Sequence, residues 1–137
     1  EFWLDYDLST LPTAKHILVY CGSNDLIFGN NSEQIMANLH GLITNLSVQF
    51  PKSQIGYFSI LQCPQKQAAR QLPIIEKINT HMRKQTGEQY HYFEFNEALR
   101  HQAKWFADDG LHLTPDAYEM LNKFYQPVIE RWVREAL

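Results

Sequence analysis

The order of apolar segments constrains this chain more than any other feature. His16-Ile17-Leu18-Val19-Tyr20-Cys21 runs without alternation and stops at Gly22-Ser23-Asn24-Asp25, the pattern of a strand covered on both faces. Between Ser32 and Phe50 the apolar residues Ile35, Leu39, Leu42, Ile43, Leu46 and Phe50 recur at steps of three and four, and Pro51 ends the run. That spacing predicts one amphipathic helix, capped by Asn31 or Ser32. The alternation then repeats. Residues 54–61 read as a second strand ending before Pro64; Leu72, Ile75, Ile78 and Met82 mark a helix closing near Gly87; residues 90–95 read as a third strand. A short helical piece is expected over residues 96–104, then a loop over 105–114. Thr114 is placed to cap a last helix with Pro115 at its first position, and Tyr118, Leu121, Tyr125, Val128 and Trp132 are expected on its buried face. Strands alternating with helices imply a parallel sheet with right-handed crossovers, an α/β fold of three layers.

Composition narrows the classes. With 137 residues, 45% of them hydrophobic and 20% charged, the chain is expected to fold around one core as a single domain over residues 1–137, with no linker or repeat. Twelve basic against fifteen acidic residues, with no basic stripe, offer nothing for a phosphate backbone, so nucleic acid is not expected as a partner. No apolar run approaches the ~20 residues of a membrane-spanning helix. Cys21 and Cys63 lie far apart without a C-x-x-C motif and are expected as free thiols. His16, His40, His81, His91 and His101 show no i, i+4 pairing and no carboxylate at ligand spacing, so no metal site is expected.

In open α/β sheets reactive groups gather in the loops beyond the carboxyl ends of the strands. Two such loops are rich in polar groups. In Gly22-Ser23-Asn24-Asp25 the glycine permits a tight turn and the Asn24 amide is a hydrogen-bond donor for a cleft; the same composition also makes a plain turn. In Asp108-Asp109-Gly110-Leu111-His112-Leu113-Thr114-Pro115 a carboxylate three residues before a histidine can accept from one imidazole nitrogen and leave the other as a base. The plainer alternative is acidity at a helix entry beside a surface histidine. Phe28 is a candidate for the cleft entrance. Trp105, with Phe106, either walls a pocket or packs the loop onto the core. Residues 66–70 are a candidate flap.

Taken together, Gly22-x-Asn24-Asp25 after an apolar strand and Asp109-x-x-His112 before the last helix resemble the SGNH (GDSL-type) hydrolases. The resemblance runs over nearly the whole chain and includes the helix containing Asn79 and the Tyr at 118. It implies a flavodoxin-like parallel sheet and a cofactor-free serine esterase or acylhydrolase acting on a small-molecule ester. It further implies that Asn24 and Gly22 serve the oxyanion hole, that His112 is the general base and that Asp109, rather than Asp108, orients it.

The family's Gly-Asp-Ser nucleophile block has no counterpart here. Ser9, in Asp7-Leu8-Ser9-Thr10, is its nearest imitation but lies before the Gly-x-Asn-Asp strand with no intervening strand-helix-strand. Two readings follow. Either these residues are the carboxyl-terminal part of a longer hydrolase, or the chain is a shortened relative that serves as a binding or structural module. The first is expected, because Asn24, Asp109 and His112 occur together and the chain begins with Glu rather than Met; on it, the amino-terminal strands and the nucleophile lie outside the 137 residues. A nucleotide-binding fold of the Rossmann kind is disfavoured, since no G-x-G-x-x-G follows a strand.

Overall fold

A computed structural model describes residues 8–100 and 102–135. Three short strands, β1 (His16–Val19), β2 (Gln54–Phe58) and β3 (His91–Phe93), pair in parallel in the order β1-β2-β3. Ile17 lies beside Ile55 and Tyr57 beside Tyr92. Parallel neighbours need long crossovers, and helices supply them: α1 (Ser23–Ile27) and α2 (Ser32–Gln49) join β1 to β2, α3 (Pro64–Ala68) and α4 (Leu72–Lys84) join β2 to β3, and α5 (Pro115–Glu135) closes the chain.

Side chains alternate across a strand, so the sheet presents two apolar faces. Val19, Ile55, Tyr57 and Tyr92 face Ile35, Leu39 and Ile43 of α2 and Ile75, Ile78 and Met82 of α4 in one core. On the other face the rings of Phe58 and Phe95 meet Tyr125, and Phe93 meets Trp132 edge-on at 5.4 Å. The α/β class and its three layers are as the alternation predicts. Each fully buried Ile or Leu contributes about 1.5–3 kcal/mol of transfer free energy, so these two apolar interfaces hold the layers together.

Gly56 permits close approach on the α5 side. A Cβ there would stand 2.7 Å from the Phe93 ring, 2.8 Å from Leu18 and 3.2 Å from Trp132. The starts of α2 and α5 follow their capping chemistry. Asn31 accepts from the Gln34 N–H at 2.8 Å while Gln34 Oε1 accepts from the Asn31 N–H at 2.9 Å, a reciprocal box. Thr114 Oγ1 accepts from the Ala117 N–H at 3.2 Å.

Several expectations need correction. The strands end two or three residues earlier than predicted at their carboxyl ends; beyond β2, Ile60 and Gln62 bond to the side chains of Asn79 and Asn96 instead of a neighbouring strand. Residues 23–27 form a helix rather than an open turn. Over the stretch expected as a helical piece the chain turns at 97–100, and a single 3-10 turn covers Ala103–Trp105; His101 lies outside the described residues. Along α5 the buried residues are Ala117, Leu121 and Tyr125, spaced by four, with Trp132 half-buried; Tyr118 and Val128 fall to the sides of that stripe and are 56% and 39% exposed. Residues 66–68 belong to α3 instead of a flap, and Lys66 is buried.

Candidate active site

Both polar loops leave the sheet at its carboxyl end. After β1 the chain passes through Tyr20 and Cys21 to Gly22, whose φ of +112° is a conformation that L side chains rarely adopt. A Cβ at Gly22 would also lie 2.9 Å from Ile60 Cδ1. That turn starts α1 and places Asn24, exposed, at its second position.

The 105–114 loop is held as a pinned turn. Phe106 and Leu113 bridge antiparallel, the Ala107 N–H donates to the His112 carbonyl at 2.8 Å and the Thr114 N–H to the Trp105 carbonyl at 3.0 Å. Gly110, at φ +67°, makes the reversal, and its carbonyl accepts from the Gln65 N–H of α3 at 3.0 Å. Asp109 is the carboxylate that meets His112. Its Oδ1 accepts from the N–H groups of Leu111 and His112 at 2.9 and 3.0 Å, and its Oδ2 lies 2.5 Å from His112 Nδ1. The hydrogen bond with His112, reinforced by the two backbone donors, holds the Asp109 carboxyl down at about 2, so it is an anion at any physiological pH. With Nδ1 engaged, Nε2 is the nitrogen left for proton transfer.

Between the loops opens a cavity of about 900 Å³, lined by Gly22, Asn24, Phe28, Leu39, His112 and Tyr118 among others. Gly22, Asn24, His112 and Phe28 are thus brought together; Phe28 stands at the rim, 79% exposed. Trp105 is not among the lining residues. It packs against the core of Leu61, Leu99, Phe106 and Leu121, with Lys104 Nζ 4.6 Å over its ring. Sequence reasoning missed Tyr118, Tyr20 and Asn38 in the lining. For Tyr118 the signal was present in its place on the first turn of the helix that follows His112; for Asn38, on the polar side of α2, there was none.

Nucleophiles inside the described cavity are few. Cys21 and Cys63 are free thiols, and Cys21 lines the cavity, but burial pushes its thiol up to about 11, so it is protonated at neutral pH. Ser23 lines the cavity beside Asn24. The hydroxyls of Ser32 and Ser59 donate to Glu33 and Glu94 and that of Ser53 to the Ala14 carbonyl. Ser9 lies in a 3-10 turn over Leu8–Thr10. Among the described residues no three His, Cys, Asp or Glu side chains converge as a metal site.

The sequence profile of the GDSL-like lipase/acylhydrolase family matches residues 3–120. The chain belongs to that family. Its fold is shared with solved structures of other proteins. One is a Streptococcus pneumonia protein provisionally described as a platelet activating factor, 23% identical, with a TM-score of 0.70 over 83% of this chain and 59% of that one. Another is a serine-to-alanine mutant of an acetyl esterase with acetate ion, 15% identical, with a TM-score of 0.70 over 90% and 60%. A third is a carbohydrate esterase family 3 protein from Talaromyces cellulolyticus, 16% identical, with a TM-score of 0.69 over 88% and 59%. At these identities the likeness speaks for the SGNH, flavodoxin-like fold. The GDSL-like chain spans about three fifths of the length of these structures. Comparison with curated proteins gave no match.

Proposed function

We propose that this GDSL-like chain supplies the base and the oxyanion donor of a serine esterase, and that the nucleophilic serine comes from residues outside these 137. The observation that carries the reading is the His112 Nδ1 to Asp109 Oδ2 contact of 2.5 Å beside the cavity that Gly22 and Asn24 also line. An anionic Asp109 keeps the proton on Nδ1 and directs Nε2 to act as base.

The steps balance as acyl transfer to water. His112 Nε2 takes the serine proton as the oxygen attacks the ester carbonyl carbon, and the carbonyl π pair moves onto its oxygen. The Asn24 side-chain N–H donates to that oxyanion, a contact whose loss typically costs about 3–4 kcal/mol. Collapse breaks the bond to the alcohol, which leaves with the proton from Nε2. Water then attacks the acyl-serine by the same route and releases the acid. Asp109 stabilises the imidazolium in both halves. Gly22 gives the loop its approach, and Phe28 borders the substrate entrance.

The substrate is a small-molecule carboxylic ester. A panel of acyl chain lengths and acetylated sugars, assayed on the full-length protein, identifies the acyl and alcohol preferences. On short-chain nitrophenyl esters the 137-residue chain alone is expected to give no turnover above its His112→Ala variant, while the full-length protein turns over and loses activity with that substitution. His112-dependent turnover by the 137 residues alone would contradict the placement of the serine.

A further inference from the structure

Asn79 of α4 is 4% exposed and bonds to both backbone groups of one residue. Its Oδ1 accepts from the Ile60 N–H at 2.8 Å and its Nδ2 donates to the Ile60 carbonyl at 2.9 Å. Ile60 lies just beyond the end of β2 at Phe58, where a neighbouring strand no longer supplies partners, so a side chain must satisfy these groups. Asn96 completes the clamp, donating to the same Ile60 carbonyl at 3.0 Å and accepting from the Gln62 N–H at 2.7 Å. The Ile60 side chain, fully buried, points under the first polar loop: a Cβ on Gly22 would meet Ile60 Cδ1 at 2.9 Å and Cγ1 at 3.3 Å. Ile60 is therefore the floor on which the Gly22 turn rests, and Asn24 follows two residues later.

From this chain of contacts we infer that Asn79 is a positioning residue for the oxyanion donor, fixing the height of Ile60 and through it the Gly22–Asn24 turn. Buried and bonded to backbone on both sides, Asn79 does not touch substrate. Its effect reaches the reaction through Asn24 alone, and it is felt where the oxyanion forms, because a small misplacement of a donor weakens transition-state stabilisation more than ground-state binding. The inference rests on the proposed role of Asn24.

The test is a double-mutant cycle in the full-length protein, with kcat and KM measured on a nitrophenyl ester well below the unfolding temperature of every variant. Asn24→Ala is expected to lower kcat by about 100-fold or more. Asn79→Ala should lower kcat by roughly tenfold with KM within about threefold, and in the Asn24→Ala background it should change kcat by less than about twofold. Ile60→Val keeps the clamp and removes the methyl under Gly22; it folds where Asn79→Ala fails to, and should show a smaller kcat loss with the same dependence on Asn24. Met82→Ala, one turn further along α4, costs stability and should leave kcat within about twofold. An unchanged kcat in Asn79→Ala or Ile60→Val, or an equal loss with and without Asn24, overturns the inference. An Asn24→Ala protein with full kcat instead refutes the proposed oxyanion role itself.

Discussion

Gly22 shows how one residue couples backbone and site. Its φ of +112° strains any side chain there, and a Cβ would stand 2.9 Å from Ile60 Cδ1, which would have to shift. Gly22→Ala is expected to lose about 1–3 kcal/mol from the positive φ alone, read as a lower midpoint in urea unfolding, together with a fall in kcat of the full-length protein. A variant with unchanged stability would mean that the turn relaxes freely. The glycine and the asparagine were legible because a turn after an apolar strand requires such residues. The helical character of residues 23–27 was not, since five residues carry no periodicity to read.

Among the elements, α2 and α4 share a contact that spacing along the chain conceals. His40 and His81 meet Nε2 to Nε2 at 2.9 Å, with rings nearly perpendicular. One imidazole must donate and the other accept, so the bond requires that they not both be charged. Burial, then the neighbouring His81, lowers the His40 pKa, and Glu88 opposes the shift. Stability is linked to pH through this difference in proton uptake. Above the ordinary histidine value of about 6.5 this site is neutral in both folded and unfolded chains and its stabilisation is intact. As pH falls through that value, the unfolded chain takes up a proton that folded His40 resists, and stability declines toward the lower folded value. Thermal midpoints between pH 7.5 and 5 should therefore fall more steeply in the native chain than in His40→Leu; equal slopes would mean that the pair carries no linkage. Helix periodicity located α2, α4 and most of the buried stripe of α5, because burial of one face writes itself into steps of three and four. It misplaced Tyr118 and Val128, since an amphipathic stripe about 100° wide leaves its flanking positions undecided. Side-chain clamps such as Asn79 on Ile60 join residues far apart in sequence and leave no local signature.

At the scale of the whole molecule, three layers bring the β1 and 105–114 loops to one cavity, where the proposed function puts the ester chemistry. The α/β class was readable from the order of strands and helices, as was the encounter of Asp109 with His112, from their separation across a glycine turn. Phe28 was readable as a candidate for the cavity entrance, whereas Tyr20 and Tyr118 were not, because they reach the wall from segments far apart in the chain. In the proposed function, His112 activates a serine lying outside these 137 residues. The direct measurement treats the full-length protein with an alkyl phosphonate ester, which phosphonylates an activated serine, and maps the adduct by peptide mass spectrometry in the native protein and in His112→Ala. If that placement holds, a single adduct forms on a serine outside residues 1–137, and far more slowly without His112. An adduct on Ser9 or Ser23, or labelling that proceeds equally without His112, would contradict it.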